Sequence, residues 1–209
     1  MSRLPRESVA ALVCLALFLA WGCRPKGPPP GKLPTINALA VAKAAMKQYD
    51  ANGDGRITKN ELRNNPALQM QFRKVIGDVT VEKIAARIRK WQDWGQDARP
   101  VQCTVIMGGR PLAGATVTFL PEEFLGKHFR PASGVTDANG KATVRTVGPG
   151  AESAAGVVCG FYRVEISKKE GGAETIPAKY NAQTTLGQEV APDAGGIYEG
   201  IVFALDATP

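Results

Sequence analysis

The sequence is poor in the side chains that build zinc sites and most hydrolytic active sites. Its 209 residues include one histidine, His128, and no Cys-x-x-Cys pair. A structural zinc site needs four nitrogen or sulfur ligands, and a histidine base needs an orienting partner, so this scarcity argues against both. The adjacent Glu122 and Glu123 would point to opposite faces of a strand, which makes them a poor acid–base pair. We therefore expect no enzymatic activity.

Long apolar runs are also missing, except for one near the N-terminus. Residues 9–21 carry no charge and follow the positive Arg3 and Arg6. The run is too short to span a bilayer and is typical of a signal peptide. It ends in the letters AWGC, an ending that resembles the lipobox of bacterial lipoproteins, which implies that residues 1–23 are an export signal and that Cys23 is acylated. An ordinary cleaved signal or an uncleaved anchor is the alternative.

Proline is concentrated directly after this segment. Residues 24–34 read RPKGPPPGKLP and contain no periodic apolar pattern. Such a composition predicts a stiff, extended linker that lifts a folded body off the membrane. We therefore expect an exported protein, lipid-anchored in the cell envelope, or periplasmic if the lipobox is not used.

Acidic residues are fewer than basic ones. The chain has 19 Asp and Glu against 26 Lys and Arg, which gives a formal net charge of +7. A basic excess favours anionic surfaces, so an anionic envelope polymer or a protein is an expected partner. A solvated surface with a mild basic excess is the plainer explanation. The basic residues are scattered among acids, so we expect no nucleic acid partner.

Cysteine is scarce as well. Of the four cysteines, Cys14 lies in the apolar run and Cys23 follows its end. Cys103 and Cys159 would remain in an oxidising compartment after export, so a disulfide between them is one interpretation. Two buried free thiols are the other interpretation.

Apolar residues recur at helical spacing between residues 35 and 97, which predicts a helical domain. In its first segment they lie three and four residues apart, at Ile36, Leu39, Ala42, Met46 and Tyr49. Asn65 before Pro66 is typical of a helix start, and Thr80 is a cap for the last helix. Four short helices in this span favour a pair of helix–loop–helix units.

Residues 50–61 have the spacing of a calcium-binding loop. The expected ligands stand at positions one, three, five, seven and twelve, which are Asp50, Asn52, Asp54, Arg56 (through its backbone carbonyl) and Glu61. Gly55 supplies the sharp turn at position six, and Thr58 takes position nine, where ligation passes through water. The pattern matches the EF-hand family at every required position, which implies a site for Ca²⁺.

EF-hands usually occur in pairs, and the second unit of this chain lacks ligands. Residues 77–80 lie where a partner loop belongs, and Val79 can pair with Ile57. Position twelve of that loop would fall near Lys83, so we predict a loop that packs but does not bind calcium. A single site of this kind predicts weak affinity, with a Kd on the order of 10⁻⁴ to 10⁻³ M.

The pattern changes to alternation of apolar and polar residues after the helical part. Residues 101–107 and 161–167 alternate, and Asn139 with Gly140 predicts the turn of a hairpin. Six or seven short strands at this spacing predict an antiparallel β-sandwich.

Three runs in this part carry a resemblance to a known family. They are GRPLAGATVTF at 109–119, GVTDANGKAT at 134–143 and FYRVEIS at 161–167. They resemble carboxypeptidase regulatory-like, transthyretin-like domains, as in exported lipoproteins of planctomycete-type bacteria. The resemblance implies that residues 98–209 form an accessory sandwich for binding or spacing. The expected fold is therefore α+β and multidomain, with an N-terminal EF-hand pair (residues 35–97, one loop degenerate) before a transthyretin-like β-sandwich.

Three functions fit these observations, and we rank them in order. The first is a non-catalytic, lipid-anchored calcium-binding protein of the bacterial envelope. The second is a module that binds glycans or anionic polymers on exposed aromatic residues such as Trp91 or Trp94. The third is an exported hydrolase, which would need His128 or an acidic pair in a cleft.

Overall fold

The computed structural model of the chain describes residues 35–73, 75–94, 98–146 and 156–206. The predicted signal peptide with Cys23 and the predicted linker lie outside the described residues. In the part of the chain that is described, no helix is long and apolar enough to cross a membrane.

Helices occupy the N-terminal part of the described residues. Their bounds are α1 Ala38–Tyr49, α2 Lys59–Leu62, α3 Pro66–Phe72 and α4 Val81–Asp93. Each begins after a residue whose side chain accepts a backbone hydrogen bond, namely Asn37, Thr58, Asn65 and Thr80. Such caps stabilise short helices because they satisfy amide groups that have no partner inside the helix. The predicted helix starts at Asn65 and Thr80 are confirmed.

The buried face of α1 includes Ala42 and Met46, as predicted, but not Leu39. Leu39 was expected on the buried face and is 46% exposed. The buried residues of this helix are Ala38, Val41, Ala42, Ala45 and Met46, three of which are alanines. This face packs against α4, and small side chains let the two helices approach closely.

Ten strands follow in the described residues. Their bounds are β1 Val101–Met107, β2 Arg110–Pro111, β3 Thr116–Pro121, β4 Ala132–Val135, β5 Lys141–Thr146, β6 Gly160–Ser167, β7 Lys169–Glu170, β8 Ala173–Glu174, β9 Gly187–Val190 and β10 Ile201–Leu205. The main sheet has the order β10-β1-β5-β4-β3-β6-β9, with β2 beside β1. It curls into a half-barrel or sandwich around its own apolar cluster. The arrangement is α+β, as predicted.

One strand pair departs from the expected antiparallel pattern. β1 and β10 run parallel, with Cys103 opposite Ile201 and Met107 opposite Leu205. The other pairs in the main sheet are antiparallel. A parallel pair needs a long crossover rather than a tight hairpin. Here the part of the chain that forms β2 to β9 supplies that crossover.

Two clusters of buried residues form the core. One lies inside the curled sheet. The other lies among the helices and takes Phe124, Phe161 and Cys159 from the β part. Trp91 of α4 packs edge-on against Phe161, with 4.8 Å between the ring centroids. Apolar contacts therefore cross the predicted domain boundary at residue 98.

The structure agrees with the second interpretation of the cysteine pair, two free thiols, and not with a disulfide. Cys103 and Cys159 are free, buried thiols. Cys103 belongs to the cluster inside the sheet, and Cys159 belongs to the cluster among the helices. Cys103 lies on β1 and Cys159 directly precedes β6, and three strands stand between β1 and β6 in the sheet. Burial raises the pKa of Cys103 to about 11 and that of Cys159 to about 12.

Candidate calcium site

The predicted calcium loop connects α1 to α2. Its first residue is Asp50, whose backbone N–H donates to the Met46 carbonyl of α1 at 2.8 Å. Gly53 and Gly55 have φ angles of 72° and 81°, in the left-handed region that favours glycine. Gly55 stands where the sequence predicted a sharp turn. Gly53 is a second such position, which sequence reasoning did not identify.

The turn gathers the first three predicted ligands. The Asp50 carboxylate accepts the backbone N–H groups of both loop glycines at 2.8 Å. Asn52 Oδ1 accepts the Asp54 N–H at 3.0 Å, and Asp54 Oδ1 accepts the Arg56 N–H at 2.9 Å. These hydrogen bonds hold the side-chain oxygens against the backbone of their own loop.

The last predicted ligand, Glu61, reaches both ends of the loop from α2. Its Oε2 accepts the Thr58 N–H and the Thr58 hydroxyl, both at 2.8 Å, and its Oε1 accepts the Ala51 N–H at 2.9 Å. The bonds from Thr58 are the main reason why the pKa of Glu61 is lowered. Thr58, predicted at the water-mediated position, serves as the cap of α2.

The donor chemistry of the loop fits a hard cation such as Ca²⁺. Hard cations prefer oxygen ligands, and the loop offers four side chains and one backbone carbonyl, from Asp50, Asn52, Asp54, Glu61 and Arg56. Residues 51–56 are exposed, so an ion has direct access. Among the described residues, no three His, Cys, Asp or Glu side chains are gathered at metal-holding distance. The carboxylates of Asp50, Asp54 and Glu61 accept hydrogen bonds from loop amides.

The second loop, residues 75–80, pairs with the first. Ile57 and Val79 exchange two backbone hydrogen bonds, of 2.8 and 3.0 Å, and both side chains are buried. This confirms the predicted pairing. The bridge holds the chain directly after Arg56, whose carbonyl is the predicted ligand at position seven. The Arg56 guanidinium also lies 4.0 Å from the Asp78 carboxylate, an exposed contact that contributes little.

A buried polar cluster beside the loop was missed by sequence reasoning. Tyr49, the residue before the loop, donates its hydroxyl to Glu122 Oε2 at 2.9 Å. Glu122 is 2% exposed, and its Oε1 has no hydrogen-bond partner among the described residues. Burial raises the pKa of Glu122. Glu123 is exposed, so the two carboxylates do point apart. Glu123 begins a 3-10 helix and Glu122 directly precedes it, so neither lies in a strand. Nothing in the sequence distinguished Glu122 from a surface glutamate.

A second buried network joins α4 to β9 and was also missed. Arg87 donates to the carboxylate of Glu189 and, at 2.9 Å, to Asp193. Trp91 Nε1 donates to Glu189 at 2.8 Å. Burial raises the pKa of Glu189, whereas hydrogen bonds from Arg87 lower the pKa of Asp193 to about 2. The network anchors the last helix of the EF-hand part to the sheet.

The aromatic platform expected for a glycan-binding module is not available at Trp91. Its side chain is fully buried in the helical cluster. Trp94 is half-buried, and the Lys90 ammonium lies 5.0 Å from its ring centroid. His128, the histidine that a hydrolase would need, lies on an exposed turn.

Comparison with known proteins identifies one segment. Residues 42–64 match the family model described as EF hand, a span that runs from α1 through the loop into α2. No curated protein matches the chain. No solved structure matches it either.

Proposed function

We propose that this chain is an exported, lipid-anchored calcium-binding protein of the bacterial envelope, without catalytic activity. The EF-hand segment supports calcium binding. The observation that carries the proposal is the loop at residues 50–61. Its oxygen donors have the required spacing, its turn contains two glycines in the left-handed region, and its exit is paired to a second loop.

In this proposal the ion is held by the oxygens of the loop. Asp50, Asn52 and Asp54 would bind it through side chains, and Arg56 through its carbonyl. Glu61, which bonds to the amide of Ala51 at the start of the loop, would close the site. One site of weak affinity suits a structural ion in a calcium-rich exterior.

The decisive experiment is a calcium titration by calorimetry of the full-length chain in detergent. We expect one saturable site per chain, with a Kd on the order of 10⁻⁴ to 10⁻³ M. Glu61→Gln should remove this binding, because an amide offers one oxygen where the carboxylate offers two. Glu199→Gln, which changes an exposed glutamate outside the loop, is the matched control and should bind as the wild type does. Absence of saturable binding at millimolar calcium in the wild type would refute calcium binding.

Export and anchoring are supported by the sequence. The uncharged run at residues 9–21 and the lipobox-like ending at Cys23 are the basis for this part of the proposal. We expect the expressed chain to incorporate labelled fatty acid and to partition into the detergent phase. Cys23→Ser should abolish both. Equal labelling of the variant would show that Cys23 is not the acylated residue.

The β part is proposed as an accessory, transthyretin-like module that binds or spaces and does not catalyse. In support, the three runs that carry the resemblance fall on β2–β3, β4–β5 and β6, and β3 lies between β4 and β6 in the sheet. The net charge of +7 favours an anionic envelope polymer or protein as its partner. Co-sedimentation with purified cell-wall polymer at low and high salt tests this, and salt-insensitive binding or none would contradict it.

A further inference from the structure

The second loop of the EF-hand pair contains a cation that belongs to the protein itself. Lys83, in the first turn of α4, turns its ammonium back into residues 75–80. Its Nζ donates to the Asp78 carbonyl at 2.6 Å and to the Ile76 carbonyl at 3.1 Å. Backbone carbonyls around a positive centre are the contacts that a metal ion would make in such a loop.

The backbone of this loop is shaped around the ammonium. Gly77, between the two residues whose carbonyls accept from Lys83, has a φ of 76°, and a Cβ there would lie 3.9 Å from Lys83 Nζ. A left-handed residue at this point lets the two flanking carbonyls face the same centre. Lys83 also stands near position twelve of the second loop, where the calcium loop has Glu61. At this position the calcium loop has a carboxylate that would bind a cation, whereas the second loop has a cationic side chain.

The position of this loop bears directly on the calcium loop. Asp78, whose carbonyl binds Lys83, is followed by Val79, which makes both hydrogen bonds to Ile57. Ile57 in turn follows the carbonyl at position seven of the calcium loop. The Lys83 ammonium is therefore connected to the calcium loop in three steps. It donates to the Asp78 carbonyl, Asp78 is bonded to Val79, and Val79 exchanges hydrogen bonds with Ile57, the residue after Arg56.

We propose that Lys83 is a tethered replacement for a second calcium ion, and that it holds the second loop in the shape that pairs with the calcium loop. This inference rests on the proposed calcium binding at residues 50–61 and assigns Lys83 a positioning role in it. Because the ammonium is covalently attached, the partner loop keeps its shape at any calcium concentration. The calcium loop then binds one ion without having to order a second loop.

Lys83 can affect calcium affinity in two ways that have opposite signs, so the direction of the change in a variant distinguishes them. Removing a positive charge near a calcium loop strengthens calcium binding by simple electrostatics. Removing a positioning group weakens it, because binding must then order residues 75–80. We expect Lys83→Met to weaken calcium binding at least about fivefold, the lower end of ordinary coupling between sites.

The matched control is Lys43→Met, which removes the same charge from an exposed position on α1. It should leave the Kd unchanged or slightly lower. Lys83→Arg, which keeps the charge and the donors, should bind calcium more tightly than Lys83→Met. Equal or tighter binding by Lys83→Met than by the wild type, in calorimetry of the full-length chain, would overturn the proposal.

A second measurement separates this inference from the question of whether calcium binds at all. In EDTA, amide hydrogen exchange of Ile57 and Val79 reports the bridge alone. We expect both amides to exchange faster in Lys83→Met than in the wild type and in Lys43→Met. Unchanged exchange would refute the positioning role even if the loop binds calcium. If Lys83→Met does not fold, the same measurement is made on Lys83→Gln, whose neutral amide can still donate to one carbonyl.

Discussion

The hydrogen bond between Tyr49 and Glu122 is the best place to test how the calcium loop is attached to the β part. Tyr49→Phe removes the donor to Glu122 Oε2, and Oε1 already has no hydrogen-bond partner among the described residues. A buried acceptor left unsatisfied costs about 1–3 kcal/mol. We therefore expect the free energy of unfolding to fall by about 2 kcal/mol, which lowers Tm by about 4–8 °C for a chain of this size.

The destabilisation by Tyr49→Phe should depend on pH, because the hydrogen bond is made to a titrating carboxyl group. Burial raises the folded-state pKa of Glu122 above the ordinary value of 4.5. The stability that comes from a protonated Glu122 is therefore fully present below pH 4.5 and is lost as the pH rises through the raised pKa. The Tyr49 hydrogen bond opposes this loss, since it favours the ionised carboxylate. The destabilisation by Tyr49→Phe should be largest near pH 7 and should shrink toward pH 4.

The assay is urea unfolding followed by circular dichroism, in EDTA, between pH 4 and pH 8. Tyr198→Phe is the control, because it removes a hydroxyl whose hydrogen bond from Arg99 is exposed, on a ring that is 71% exposed. It should change stability by less than about 0.5 kcal/mol. In a Glu122→Gln background the effect of Tyr49→Phe should lose its pH dependence, since no titrating group remains at residue 122. A destabilisation that is the same at pH 4 and pH 7 in the wild-type background would refute the reasoning.

Two further predictions concern the packing of the helices on the sheet, and a third concerns the two cysteines. Gly187→Ala would place a Cβ 2.2 Å from backbone atoms of α3, so it should lower the free energy of unfolding in urea by at least about 1–3 kcal/mol. The control is Gly195→Ala, whose added Cβ would have no atom within 4 Å and should leave the free energy of unfolding unchanged. Arg87→Met leaves a buried carboxylate on β9 without its charged partner, so we expect a loss of about 3–5 kcal/mol in the same assay; a loss under 1 kcal/mol would contradict the buried pair. Cys103 and Cys159 should both react with iodoacetamide in urea without added reductant, and only slowly in the native chain at pH 8 because burial raises both thiol pKa values; a mass shift that requires reductant would show a disulfide.

Local sequence patterns predicted the helical part well because its signals are local. The caps at Asn65 and Thr80 act within three residues, and the ligand spacing of the loop is fixed by a single turn. The exposure of Leu39 was not predicted, since the buried face depends on which side α4 approaches. Leu39 fits the helical period, yet it lies on the side that α4 leaves open.

Residues that act across the chain could not be found in this way. Glu122 and Glu189 look like surface glutamates in the sequence, but both are buried and accept hydrogen bonds from Tyr49 and Arg87, which lie 73 and 102 residues away. For the cysteine pair, the sequence suggested a contact that the structure does not contain. The expected export suggested a bond between the two cysteines, whereas the structure places them in different cores.

The sequence by itself determined the calcium loop and the α+β division, because ligand spacing, turn glycines and apolar periodicity are properties of neighbouring residues. The tertiary structure alone decided how the loop is held. It brought Lys83 into the second loop, joined Val79 to Ile57 and buried Glu122 against Tyr49. These contacts depend on how helices and strands pack, and packing is set by shape and burial over the whole chain rather than by any local pattern.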